Sequence, residues 1–181
     1  VVERETEVLT PSELNTVLEK ADERILPAIA IGAFTGPRTS EIKELDWSDI
    51  DLKEKLIRIR AKDAKSSRNR LIPISENLVA WLRPVARKSG NVWPTNGRRL
   101  LDKAKRAAGF GKIGSETEKE KKAKLKMARP WPHNGLRHSY ASYHLAHHQN
   151  ADELALYMGH RDTSLIFQHN RAVVTPGAAP T

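Results

Sequence analysis

Two short β-branched runs interrupt a chain otherwise written at helical spacing, and this break in period constrains the fold more than any other feature. Leu56, Ile57 and Ile59 lie in KLIRIRA, and Leu71, Ile72 and Ile74 lie in RLIPIS. Together they predict a β-hairpin whose long polar tip runs from Lys62 to Asn69. Pro73 has no N–H for a ladder, so the second strand is expected at an edge or to end early. Before the hairpin, Thr10, Pro11 and Glu13 form a helix entry, with threonine positioned to cap and glutamate three residues on. Leu14, Val17, Leu18 and Ala21 continue it. Ile25 to Phe34 reads as a buried helix broken by Thr35-Gly36-Pro37, and Ser40 to Leu45 as a short one ending near Trp47. After the hairpin, Leu78, Trp81, Leu82 and Val85 mark a helix. Segments 97–109, 134–148, 151–158 and 162–171 mark the rest. Helices, a small antiparallel hairpin, then helices predict a mainly helical α+β domain.

The chain has 181 residues, enough for one domain, and its 39% hydrophobic content supplies a core. No apolar stretch approaches the length that spans a bilayer, and the polar start VVERETEVLTPSEL is no signal peptide. The absence of cysteine excludes disulfides and thiolate metal sites and permits a cytoplasmic home. A net charge of +9 favours a polyanionic partner, nucleic acid first and an anionic membrane surface second. Eight Lys/Arg fall between Lys53 and Arg70. Lys62, Lys65, Arg68 and Arg70 crowd the hairpin tip among Ser66, Ser67 and Asn69, a composition suited to phosphate contacts in a groove. Considered alone, a solvated turn explains these charges equally well. Residues 112–130 are almost entirely charged and small and predict a solvated loop or exposed helix. The tail 175–181 predicts disorder. His144 and His148 are four apart, but no HExxH pattern or carboxylate at ligand spacing accompanies them, so no metal site is expected.

Three separated segments carry a family resemblance. Thr35-Gly36-Pro37-Arg38-Thr39-Ser40-Glu41-Ile42, followed by Leu45-Asp46-Trp47-Ser48-Asp49-Ile50-Asp51, resembles the TG-x-R-x-SE…L-x-W-x-D-x-D box of tyrosine recombinases of the phage-integrase type. The hairpin ending Arg70-Leu71-Ile72-Pro73-Ile74 is the second. The third is Pro132-His133-Asn134-Gly135-Leu136-Arg137-His138-Ser139-Tyr140-Ala141-Ser142, followed by Met158-Gly159-His160, which is similar to the family's LRH…GH region. Their order and spacing fit over about residues 8–174. The resemblance implies a catalytic domain over 1–174, with an N-terminal core-binding domain outside this chain.

It also implies a chemistry: a tyrosine attacks a DNA phosphodiester to form a 3′-phosphotyrosyl link, without metal or nucleotide cofactor. The implied partners are double-stranded DNA and other recombinase protomers, in a synaptic tetramer, within the cytoplasm at the nucleoid. Arg38 and Arg137 match the family's two arginines, whose planar forks suit an anionic phosphorane. Glu41 is expected to orient Arg38 or cap its helix. Lys65, eight residues before Pro73, matches the hairpin lysine that serves as general acid, with Lys62 the alternative. Asn134 occupies the position of the family's His-x-x-Arg histidine, with His133 just upstream, and either is a candidate phosphate contact. His160 matches the histidine that bonds a non-bridging oxygen.

The departure lies at the nucleophile. Phe167-Gln168-His169-Asn170-Arg171 resembles the family's F-x-H-Y-R with asparagine in place of tyrosine. An amide is a very poor nucleophile, so the ordinary covalent step is expected to be absent. A natural DNA-binding pseudo-enzyme and a loss-of-cleavage variant are the leading explanations, ahead of substitution by His169.

Overall fold

Thr10 opens the first helix by the reciprocal bonding its sequence predicts. The Thr10 N–H donates to Glu13 Oε2 at 2.8 Å, and the Glu13 N–H donates to Thr10 Oγ1 at 3.2 Å. The computed structural model describes residues 7–61, 69–111 and 129–160. Within these ranges α1 (Pro11–Lys20) leads to α2 (Leu26–Thr35), which is buried on nearly every side. A helix that is apolar all round belongs at the centre of a domain. Accordingly α2 packs against α1, α3 (Thr39–Glu44), α4 (Glu76–Leu82) and α6 (Gly135–His148). The other helices are α5 (Gly97–Ala107) and α7 (Ala151–Met158).

The six residues of α3 are too few to hold a helix on their own. Ile42 and, just beyond the helix, Leu45 are buried in the core, each contributing roughly 1.5–3 kcal/mol. Core packing therefore sets where Arg38, the residue before α3, stands. The acids of the following box act as clamps. Asp46 accepts the Ser48 N–H at 2.8 Å and the Gly90 N–H at 3.0 Å. Buried Asp49 accepts the Arg60 Nε–H at 2.8 Å. Asp51 Oδ1 accepts the N–H groups of Lys53 and Glu54, closing the turn into the next strand.

The hairpin is present and carries a third strand. β1 (Ile50–Asp51), β2 (Leu56–Ile59) and β3 (Arg70–Pro73) form an antiparallel sheet in that order, with Ile57 opposite both Ile50 and Ile72. At two residues, β1 is too short to announce a period. Pro73 ends β3 on the sheet's edge, where a missing N–H costs nothing. Ile57, Ile59 and Ile72 join Ile25, Ile29, Ile31, Leu78 and Leu82 in the main core. Ala141, Leu154, Ala155 and Met158 form a second cluster between α6 and α7.

The segment before α1 is stitched to α6. Leu9 is fully buried, its N–H donates to Ser139 Oγ at 2.7 Å, and its carbonyl accepts the Tyr143 hydroxyl at 3.1 Å. Arg129 donates to the Val8 carbonyl at 2.7 Å and grips both oxygens of Glu13. The expected long hairpin tip, the charged stretch after residue 111, the helix over 162–171 and the tail fall wholly or mainly outside the described residues.

Candidate phosphate-binding site

Thr35-Gly36 makes the first wall of the site. Gly36 caps α2 in the left-handed conformation, with φ of 64°, and the Tyr140 ring lies directly against it. A Cβ built on Gly36 would stand 2.3 Å from Tyr140 Cδ1. Glycine is thus required twice, for its dihedral and for the close approach. This turn presents the Gly36 carbonyl to Arg137, which lies in the first turn of α6.

Arg137 is anchored by backbone. Its Nη1 donates to Gly36 O at 2.6 Å and its Nη2 to Met158 O at 2.9 Å. The same Nη2 lies 2.8 Å from His160 Nε2. Gly36 O closes α2 and Met158 O closes α7, so the negative ends of two helices converge on one guanidinium. Burial, with the like charge of Arg38 and then Arg70, pushes that guanidinium down to about 10. It stays charged at neutral pH, with its terminal nitrogens bonded to two backbone carbonyls. A backbone-held cation keeps its charge for an incoming anion.

Arg38 arrives from the other side. Its guanidinium is 41% exposed, with only long approaches of 3.5 Å to Glu41 Oε1 and to the Gly159 carbonyl. Glu41 does cap the helix, as expected, accepting the Arg38 backbone N–H at 2.7 Å. Its principal partner, however, is Arg70. The two form a bidentate pair, Nη1–Oε1 at 2.9 Å and Nη2–Oε2 at 2.8 Å. Burial works against the Glu41 charge, but the Arg70 guanidinium outweighs it and holds the carboxyl below the usual range.

Arg70 therefore corrects an expectation. It was expected among the surface phosphate contacts of the tip, yet its side chain is only 4% exposed. Its Nε donates to the Tyr157 carbonyl at 2.7 Å. The reason is parity: alternate strand residues share a face, so Arg70 points inward with Ile72 while Leu71 points out. That signal was present in the sequence, since Arg70, Ile72 and Ile74 are two apart.

The remaining candidates divide by location. His160 is brought against Arg137. His133 and Asn134 are both exposed at the start of α6. Asn134 has φ of 50° and ψ of 30°, a left-handed conformation that asparagine tolerates better than most residues. Lys62, Lys65, Arg68 and Asn170 lie outside the described residues. The described tyrosines are engaged elsewhere. Burial pushes the Tyr140 hydroxyl far up, the Tyr143 hydroxyl is raised by burial, and the bond to Glu153 pushes Tyr157 up to about 12. Among the described residues no group of three or more His, Asp or Glu is arranged to hold a metal ion. No helix there is long and apolar enough to cross a membrane.

A mainly helical domain with a three-stranded antiparallel sheet, two arginines and a histidine drawn together from three helix ends, has the fold of the tyrosine-recombinase catalytic domains. The chain belongs to the phage integrase family, whose sequence profile matches residues 7–173. Among solved structures it is similar to XerA recombinase, at 20% identity and a TM-score of 0.69, covering 97% of this chain and 63% of that one. It is also similar to the catalytic domain of bacteriophage HP1 integrase, at 21% identity and a TM-score of 0.65, covering 91% of this chain and 87% of that one. A lambda integrase tetramer bound to a Holliday junction matches at 16% identity and a TM-score of 0.60, covering 93% of this chain and 49% of that one. The chain thus spans less than two thirds of the XerA recombinase chain.

Proposed function

We propose that this domain binds duplex DNA as the catalytic unit of a site-specific recombinase or integrase, with its phosphate cradle retained and its nucleophile replaced. The observation that carries this reading is the convergence of Arg137 and His160, 2.8 Å apart, beside the half-open fork of Arg38. Three guanidinium groups and one carboxylate, counting Arg70 and Glu41, leave the cluster at +3 − 1 = +2. Fixed cations of this kind stabilise charge that develops on a phosphorane.

In this reading Arg38 and Arg137 clamp the non-bridging oxygens and His160 bonds one of them. Asn134 donates a hydrogen bond or His133 takes its place. Lys65, or Lys62, protonates the 5′-oxygen as the P–O5′ bond breaks. Arg68 and neighbouring tip residues hold flanking phosphates. The group that would form the new bond to phosphorus is missing, because position 170 carries an amide. No metal or nucleotide cofactor enters this scheme. DNA as substrate, a cytoplasmic location at the nucleoid, and assembly with further protomers belong to the same proposal. The lambda integrase tetramer on its Holliday junction supports the assembly by analogy.

The test is a nicked suicide DNA substrate. The protein as it stands should form no covalent adduct, and N170Y should form one. Binding to duplex DNA should weaken steeply with salt, log K falling linearly with log salt concentration. Asn170 also favours a second reading, a DNA-binding module without strand chemistry. Salt-steep binding with no adduct from N170Y would select it, and salt-insensitive or absent binding would defeat both.

A further inference from the structure

We propose that Arg70 is a positioning residue that keeps Arg38 available to an anion by occupying Glu41. This deepens the phosphate-cradle reading and rests on it for its biological meaning, but its chemistry can be tested without DNA. Glu41 is the acid nearest both arginines. Were Arg70 absent, its carboxylate would be free to turn wholly to Arg38, three residues away on the same helix entry, where the approach is already 3.5 Å. A tight Arg38–Glu41 pair would cancel the charge meant for phosphate. Arg70 prevents this with both of its terminal nitrogens, at 2.9 and 2.8 Å. A bidentate pair is the strongest competitor for a carboxylate.

The geometry also explains why the competitor is an arginine on β3. Inward strand parity delivers the guanidinium to α3. Its third donor, Nε, bonds the Tyr157 carbonyl near the end of α7. The Gly159 turn packs directly on the fork, where a built Cβ would stand 3.0 Å from Nη1. One buried cation thereby fixes the hairpin, the helix of Arg38 and the turn that carries His160. Lysine could supply charge but not three donors in a plane.

The experiment measures inorganic phosphate binding, by thermal shift and by titration, for the unaltered protein, R70Q, E41Q and the double variant R70Q/E41Q. Urea denaturation of each identifies variants that fail to fold. R70Q should weaken phosphate affinity about tenfold, the loss of one charged hydrogen-bonding partner. R70Q/E41Q should recover most of it, because removing the carboxylate releases Arg38. A merely structural role for Arg70 would not be rescued by deleting its partner. Equal weakening in R70Q and R70Q/E41Q would overturn the proposal, since Arg70 would then serve the anion directly or only pack. Unchanged affinity in R70Q, weaker phosphate binding by E41Q alone, or no phosphate binding by the unaltered protein would overturn it too. Phosphate binding with the expected rescue but no salt-dependent DNA binding would instead defeat the functional reading and leave the role of Arg70 standing.

Discussion

The two ends of α6 carry cationic or titratable side chains of similar density, and they differ in how those side chains are held. At its start Arg137 is buried and pushed down to about 10, yet a guanidinium begins so basic that it stays charged, and two helix-terminal carbonyls seat its donors. At its end His148 lies against both His144, with ring centroids 4.4 Å apart and tilted, and His147, 4.6 Å apart and edge-on. There burial, then the like charge of His148, pushes the His144 imidazole down to about 4. The Nδ1 of His144 is buried without a hydrogen-bond partner. Burial lowers both groups by a similar amount, and the outcome differs because the guanidinium starts far above neutral pH and the imidazole does not. Density of basic residues does not mark the site; convergence of acceptors does.

The largest way to break this contrast is Gly36→Ala. A left-handed alanine costs about 1–2 kcal/mol before the Tyr140 clash is added, so a loss of about 3 kcal/mol or more is expected in urea denaturation. Phosphate affinity should fall with it, because the carbonyl that seats Arg137 moves. An unchanged midpoint would show that the turn can relax and that its geometry is not needed.

A smaller effect separates the far end of the helix. The folded His144 titrates near 4 and the unfolded one near 6.5. Between these values the unfolded chain binds more protons, so this contribution is complete above about pH 6.5 and is lost as pH falls towards 4. After allowance for solvent around the half-buried ring, the loss is on the order of 1–2 kcal/mol. His148, His147, Tyr140, Tyr157 and Glu153 are the groups around it. Urea midpoints at pH 7 and pH 4.5 should differ less in H144Q than in the unaltered protein. Equal differences would assign the acid sensitivity elsewhere.

The smallest expected effect concerns the entry to α6. Asn134→Ala should cost about 1 kcal/mol through its positive φ, and Asn134→Gly should be nearly neutral. Stability measured beside phosphate affinity distinguishes the two roles of this residue. An Asn134→Gly protein that is stable but binds phosphate less well identifies the side chain as a contact. Unchanged binding leaves it a turn residue.

Much of this arrangement was legible in the sequence, for identifiable reasons. The Thr10–Glu13 cap, the all-apolar α2 and the β-branched hairpin declare themselves because each depends on local spacing. Gly36, Arg38, Arg137 and His160 were legible as separate motifs. What tied them together was not, because Arg137 is held by backbone carbonyls, which every residue has. β1 escaped notice because two residues cannot show a period. The inward turn of Arg70 was readable from its parity with Ile72, but its position in a run of basic residues suggested the surface. The contacts of the hairpin-tip lysines and of Asn170 depend on segments outside the described residues.

The stitching of Leu9 to α6 has a mechanical consequence. Both backbone groups of Leu9 are bonded to side chains of α6, and the Val8 carbonyl is held by Arg129. A pull on the chain ahead of Leu9 would therefore load these bonds to α6 as well as α1. The helix that receives this load is the one whose first turn seats Arg137. The segment leading into α1 is thus tied to the helix that seats the anion clamp.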